Sequence, residues 1–183
     1  MRLIKHDLSY IDAIMKGTSQ PEIHQVLGMK PDMIDREGTT QFVLSMIDDN
    51  DRTQYSRYIL DDDDQFIGII TLKEIDREDR IASIGTWIYP ERWGEGYNRR
   101  AKDEILKIGF TQLGLEAVIL GVKLTNKRSM KAQEKLPYVT LDVTAEYPKR
   151  AFVKSQRLNE PFQLNIIYKE DFLNYLKVST HHS

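Results

Sequence analysis

Between Ile81 and Leu113 the chain reads I-A-S-I-G-T-W-I-Y-P-E-R-W-G-E-G-Y-N-R-R-A-K-D-E-I-L-K-I-G-F-T-Q-L, an order that few folds can accommodate. Ile81 to Tyr89 is an apolar run with the length and composition of a strand. Pro90 ends any ladder that run could join, because proline has no N–H to donate. Gly94 and Gly96 follow, in the segment before a helix. That helix carries Ala101, Ile105 and Ile108, with Leu106, Phe110 and Leu113 beside them, a wide apolar stripe for packing on a sheet. Gly114 closes it as a left-handed cap.

A strand, a glycine-bearing turn and a helix start make a physical device. The first N–H groups of a helix have no internal partner, and the helix dipole adds partial positive charge there. Glycines let a phosphate approach the main chain, so the stretch can cradle a pyrophosphate. A plain turn between strand and helix is the competing reading. Two familiar phosphate motifs are excluded. Nothing in the chain matches G-x-x-x-x-G-K-[ST], and the dinucleotide fingerprint needs a third glycine where Arg99 stands.

The rest of the chain supplies a sheet. Arg2 to Lys5 reads as a short opening strand, followed by a helix capped by Asp7 or Ser9 and reaching about Lys16. Pro21 starts a further helix that Gly28 ends. Phe42, Val43, Met46 and Ile47 recur at helical spacing, and Asp48 to Asp51 breaks that helix. Tyr55 to Leu60 and Phe66 to Leu72 are strands, joined through the acidic run Asp61 to Asp64. The run lacks the ligand spacing of a calcium loop and reads as a solvated hairpin turn. Ala117 to Val122 is continuously apolar, a strand covered on both faces and parallel to its predecessor across a helix. Thr125 or Asn126 caps the next helix, and Pro137 stops it. Val139, Leu141 and Val143 alternate with polar residues as a half-buried strand. Phe162, Leu164, Ile166 and Tyr168 alternate again as a closing strand. Thr144 to Glu160 is polar and shows no clear period. The expected fold is α/β, a mixed and mostly antiparallel sheet of about seven strands with helices, in one domain over residues 1–177 with a loose tail over 178–183.

Composition narrows the function. A chain of 183 residues with 40 % hydrophobic and 30 % charged residues is globular. No apolar run reaches the roughly 18 residues a membrane span needs, and no signal peptide is expected. The absence of cysteine removes disulfides and thiol catalysis and fits a cytoplasmic protein. A net charge of −2 provides no basic field for nucleic acid.

The phrase I-G-T-W-I-Y-P-E-R-W-G-E-G-Y, Ile84 to Tyr97, resembles the acyl-CoA pyrophosphate loop of GNAT N-acetyltransferases, and in particular the RimJ/RimL-like branch. N-K-R-S-M-K-A-Q-E-K-L, Asn126 to Leu136, is similar to that branch's N-x-x-S-x-x-x-x-E-K-L. The two motifs in this order are far more specific than the loop alone. The resemblance implies a GNAT-like fold and transfer of an acetyl group from acetyl-CoA to a primary amine, either a protein N-terminus or a small amine. It implies no metal, and leaves a homodimer open. It also assigns residues. Trp87, Ile88 and Tyr89 would offer main-chain hydrogen bonds to the pantetheine arm, and Trp93, Gly94, Glu95, Gly96, Tyr97, Asn98 and Arg99 would hold the pyrophosphate. Asn126 would bond the arm or an ordered water. Ser129 would donate a proton to the departing thiolate.

The chemistry makes modest demands on side chains. The amine must arrive neutral although its ordinary pKa is near 10.4, and negative charge builds first on the carbonyl oxygen and then on sulfur. Holding the two substrates together supplies up to about 7–11 kcal/mol. Several residues depart from the family pattern. Asn98 replaces a small residue, Glu95 a frequent base, Gln133 a common tyrosine, and Pro137 a glycine. Arg99 and Arg100 are available to offset Glu95. These departures keep a second reading open, a protein of the same fold that binds acyl-CoA without turnover. A third is a partner-binding domain whose loop is only a turn.

Overall fold

The computed structural model describes residues 1–47 and 53–180. Six strands are present: β1 (Arg2–Ile4), β2 (Tyr55–Leu60), β3 (Phe66–Asp76), β4 (Ile81–Ile88), β5 (Ala117–Lys123) and β6 (Phe162–Tyr168). They hydrogen-bond in chain order, β1-β2-β3-β4-β5-β6. The sheet is mixed. β1–β2, β2–β3 and β5–β6 are antiparallel, whereas β4 and β5 are parallel, with Ile81 opposite Ala117 and Ser83 opposite Ile119.

Eight α-helices accompany these strands among the described residues: α1 (Ile11–Thr18), α2 (Pro21–Leu27), α3 (Pro31–Ile34), α4 (Arg36–Ile47), α5 (Tyr97–Thr111), α6 (Lys127–Glu134), α7 (Pro148–Leu158) and α8 (Lys169–Thr180). Their ends follow local chemistry. Asp7 accepts the N–H of Ser9, Gly28 takes φ 63°, and Asn126 accepts the N–H of Ser129. Gly114 takes φ 72° after α5. The break expected at Asp48 to Asp51 lies outside the described residues.

The chain divides into two compact units, residues 1–75 with 85–108, and residues 76–84 with 109–183. In the first, Ile11 and Ile14 of α1 and Val43 of α4 bury against Tyr58, Leu60, Phe66, Ile69 and Tyr89. The core is aromatic: Phe66 lies 5.4 Å from Tyr58, 5.9 Å from Trp87 and 5.8 Å from Tyr89, ring centre to ring centre. In the second, Ala117 and Ile119 pack with Leu164, Ile166 and Val143. There Phe172 of α8 packs its ring on Phe110 and Tyr138.

One expectation changes. The seventh strand, Val139 to Val143, is a single bridge, Thr140 to Ile166. Asp142 takes φ 50° and gives its N–H to the side chain of Asn165, so the ladder cannot continue. α8 runs as far as Thr180, and residues 181–183 of the expected loose tail lie outside the described residues. Among the described residues no helix is long and apolar enough to cross a membrane, and no cluster of side chains could hold a metal ion.

Candidate active site

In the first unit, β4 ends at Ile88 and the chain turns through Pro90–Arg92 and the two glycines into α5. Gly94 has φ +87° and Gly96 φ +83°, backbone that other residues avoid. A Cβ built on either glycine meets nothing within 4 Å. The glycines are therefore required by backbone angle, and the space before them is open. The N–H of Trp93 goes to Pro90 O at 3.1 Å, and that of Arg100 returns to Gly96 O at 3.1 Å. Among the described residues, the N–H groups of Gly94, Glu95, Gly96, Tyr97 and Asn98 donate to no protein acceptor. Five adjacent free donors at the start of a 15-residue helix fit a diphosphate.

Glu95 and Asn98 are the two side chains able to spoil that cradle. The carboxylate of Glu95 is engaged by Arg92 at 3.3 Å, and the oxygen of Asn98 accepts from Lys102. The arginines are engaged as well. Arg92 reaches Asp61 at 2.5 Å, and Arg100 grips both oxygens of Asp62 at 2.8 and 2.9 Å. Arg100 thus does not offset Glu95 as expected.

The acidic run Asp61 to Asp64 is more than a solvated turn. The side chain of Asp61 is fully buried, and its second oxygen accepts the N–H groups of Asp63 and Gln65, each at 2.9 Å. Asp62 also takes the Met1 amine and, at 3.3 Å, the Tyr97 hydroxyl. Arg2 pairs with Asp64 at 2.8 Å. The Arg100 guanidinium first, and then the Met1 amine, hold the Asp62 carboxyl well below the usual carboxylate range. The hairpin turn is therefore a brace for the loop. No periodicity near Asp61 or Arg92 announces this pairing, since the partners stand 31 residues apart.

The end of β4 is held equally firmly. Trp93 donates its indole N–H to Ile88 O at 2.8 Å, stapling the loop to the strand. The N–H of Tyr89 goes to Ile67 O at 2.8 Å, so it cannot also serve the pantetheine arm. Alternation along the strand turns the N–H of Ile88 to the side away from Ile67. The Tyr89 hydroxyl donates to Ala13 O at 2.6 Å, and burial, aided by Glu91, pushes this phenol up to about 12. Trp87 and Tyr89 leave no room at Gly17, where a Cβ would lie 2.5 Å from one ring and 2.7 Å from the other.

Asn126 and Ser129 belong to the second unit and meet there in the first turn of α6, Asn126 Oδ1 accepting the Ser129 N–H at 3.0 Å. The carboxamide oxygen of Asn126 is thus spent on the cap. Ser129 is half-buried, and its Oγ accepts from Gln133 at 3.4 Å. The tyrosine of many relatives is here an amide in hydrogen-bond reach of the serine.

Known proteins share this fold. The family described as Acetyltransferase (GNAT) domain matches residues 1–139. An uncharacterized N-acetyltransferase, p20, of Bacillus licheniformis is 23 % identical over 172 residues, covering 93 % of this chain and 94 % of its own. The spermidine N-acetyltransferase of Vibrio cholerae, solved with CoA and spermine, superposes with a TM-score of 0.75 at 19 % identity, over 94 % of this chain and 97 % of that one. A point mutant of the V. cholerae enzyme gives 0.71 at 20 % identity, over 96 % and 99 %.

Proposed function

Because the chain belongs to the GNAT acetyltransferase family, and so is an acetyl-CoA-dependent acyltransferase, we propose that it acetylates a primary amine of a small aliphatic polyamine. One observation carries the assignment of the site: five consecutive unpartnered N–H groups, Gly94 to Asn98, at the head of α5. They bind the diphosphate of acetyl-CoA through helix-terminal donors. The main chain at Ile88, turned away from β3, aligns the pantetheine arm, and its N–H faces the thioester oxygen as charge develops on it. By the resemblance of the stretch Asn126 to Leu136, Asn126 and Ser129 are the second unit's candidates for bonding the arm and protonating the sulfur. The amine nitrogen bonds to the carbonyl carbon, the carbon–sulfur bond breaks with its electron pair on sulfur, and one proton leaves nitrogen while one reaches sulfur.

A polyamine is the acceptor to test first, because the V. cholerae enzyme with this fold is a spermidine acetyltransferase. A protein N-terminal amine is the second reading, motivated by the P-E-R-W-G-E-G-Y phrase of the RimJ/RimL-like branch. Calorimetry with acetyl-CoA should show saturable binding, lost in Gly96→Trp. Release of free CoA should then be followed with spermidine, spermine and short peptides bearing free N-termini. Turnover with the polyamines supports the proposal, and turnover with peptides alone replaces it by the second reading. Binding without product on either set leaves an acyl-CoA-binding protein, and no binding removes the site assignment.

A further inference from the structure

The side chain of Trp93 has a task different from that of the loop it opens. Two main-chain bonds close the turn before it: the N–H of Arg92 goes to Tyr89 O at 2.9 Å, and that of Trp93 to Pro90 O at 3.1 Å. This single turn sends the indole back along the chain, where Nε1–H donates to Ile88 O at 2.8 Å. Trp93 stays 36 % exposed, so burial alone does not fix the ring. An indole nitrogen has one proton to donate, and here it goes to the strand end.

The carbonyl that receives it stands at a sensitive place. In a strand, the N–H and C=O of one residue point to the same side. The N–H of Tyr89 goes to Ile67 O on β3, so both polar groups of Ile88 face the opposite side. Ile88 is 4 % exposed, and a buried carbonyl without a partner is costly. The indole meets that need. Ile88 is left with its N–H alone to offer on that side, a donor for a carbonyl oxygen with no acceptor beside it for a competing N–H. The same bond also sets a distance. Trp93 directly precedes Gly94, the first of the five free donors, so its indole ties the start of the loop to the end of β4. All of these groups lie in the first unit.

Building on the diphosphate reading above, we propose that Trp93 is a positioning residue that holds the Ile88 N–H at a fixed distance from Gly94 to Asn98, so that a ligand with a diphosphate and a carbonyl-bearing arm engages both at once. A ligand with the diphosphate alone gains nothing from this tie. An arm-bearing ligand gains because the spacing is set before it arrives, and less freedom is lost on binding.

Calorimetry with two probes tests this: acetyl-CoA, and ADP, which carries a diphosphate without the arm. The readout is the ratio of their dissociation constants in one protein. Trp93→Phe keeps an aromatic ring and removes the N–H. It should weaken acetyl-CoA binding about tenfold and leave ADP binding within about twofold. Replacing Trp93 by benzothienylalanine keeps the fused rings and puts sulfur where the N–H stood. It should change the ratio in the same way, and it decides the matter if Trp93→Phe does not fold. An indole that only stabilised the loop would weaken both probes alike when altered. Equal losses for the two probes therefore overturn the proposal, as does unchanged acetyl-CoA affinity in either variant. A wild type that binds ADP as tightly as acetyl-CoA also overturns it, and leaves the diphosphate reading standing. A wild type that binds no ADP removes the diphosphate reading and the proposal with it.

Discussion

Gly68→Ala probes how closely β3 and β4 approach near the end of β4, the strand proposed above to align the arm of acetyl-CoA. A Cβ at position 68 would stand 2.1 Å from the carbonyl oxygen of Trp87 and 2.9 Å from the Cα of Ile88. Both are backbone atoms, and neither can rotate aside. Reaching ordinary contact requires one strand to move by on the order of 1 Å. Overpacking costs about 1–3 kcal/mol, and the upper half of that range applies because a ladder must yield rather than a rotamer. Gly85, on β4, is the control. A Cβ there meets only the end of Lys73, at 3.4 and 3.6 Å. Alanine at such a tolerant position gains roughly 0.5–1 kcal/mol by restricting the unfolded chain. The two variants should therefore differ by about 2.5–4 kcal/mol. Urea unfolding followed by tryptophan fluorescence measures the difference, with Trp87 and Trp93 as reporters. The KM for acetyl-CoA should rise at least about tenfold in Gly68→Ala and stay within twofold in Gly85→Ala, since a shift of 1 Å at a binding strand is costly. Equal stability of the two variants, within about 0.5 kcal/mol, would refute the close approach.

Gly96→Ala should lose about 1–2 kcal/mol of stability from its φ of +83°, with no steric clash, and should weaken acetyl-CoA binding in calorimetry. Asp61→Asn keeps an acceptor for the N–H groups of Asp63 and Gln65 but removes one of the two carboxylates that hold Arg92, leaving Glu95. A several-fold rise in KM for acetyl-CoA with kcat little changed is expected from steady-state kinetics. Asp62 has a depressed pKa in the folded protein, so the stability it contributes is complete above the ordinary carboxylate range and fades as pH falls through the lowered value. Thermal melts of Asp62→Asn and wild type should accordingly differ at neutral pH and converge only in strong acid.

The strands were legible because their apolar residues alternate or run together: Tyr55–Leu60, Ile81–Ile88, Ala117–Lys123 and Phe162–Tyr168 stand within a residue or two of where the pattern puts them. The terminating glycines, Gly28 and Gly114, were equally plain, since both sit at positive φ. Val139 to Val143 has the period of a strand, but an alternating pattern carries no sign that one main-chain N–H will prefer the side chain of Asn165. α7 escaped notice because Phe152 and Val153 lie exposed on it, where an amphipathic reading looks for buried residues. α3 is a single turn, too short for any period. At the site, the glycines and the asparagine cap were visible as motifs. The bond from Asp61 to Arg92 was not, because charge pairs between distant segments leave no local trace. Gln133 was visible only as the wrong residue for a tyrosine, and the bond it accepts from Asn165, 32 residues away, left no local trace.

The hairpin that occupies Arg92 and Arg100 also determines what kind of ligand contact remains. With those two cations already paired to carboxylates, the proposed diphosphate contact at Gly94 to Asn98 relies on fixed peptide dipoles over a few ångströms, and small ions in the buffer shield such short contacts weakly. Affinity for acetyl-CoA should then vary little between dilute and concentrated salt. Peptide N–H groups are also supplied by every residue except proline. A glutamate at 95 and an asparagine at 98 can therefore stand between and after the two required glycines without removing a single donor.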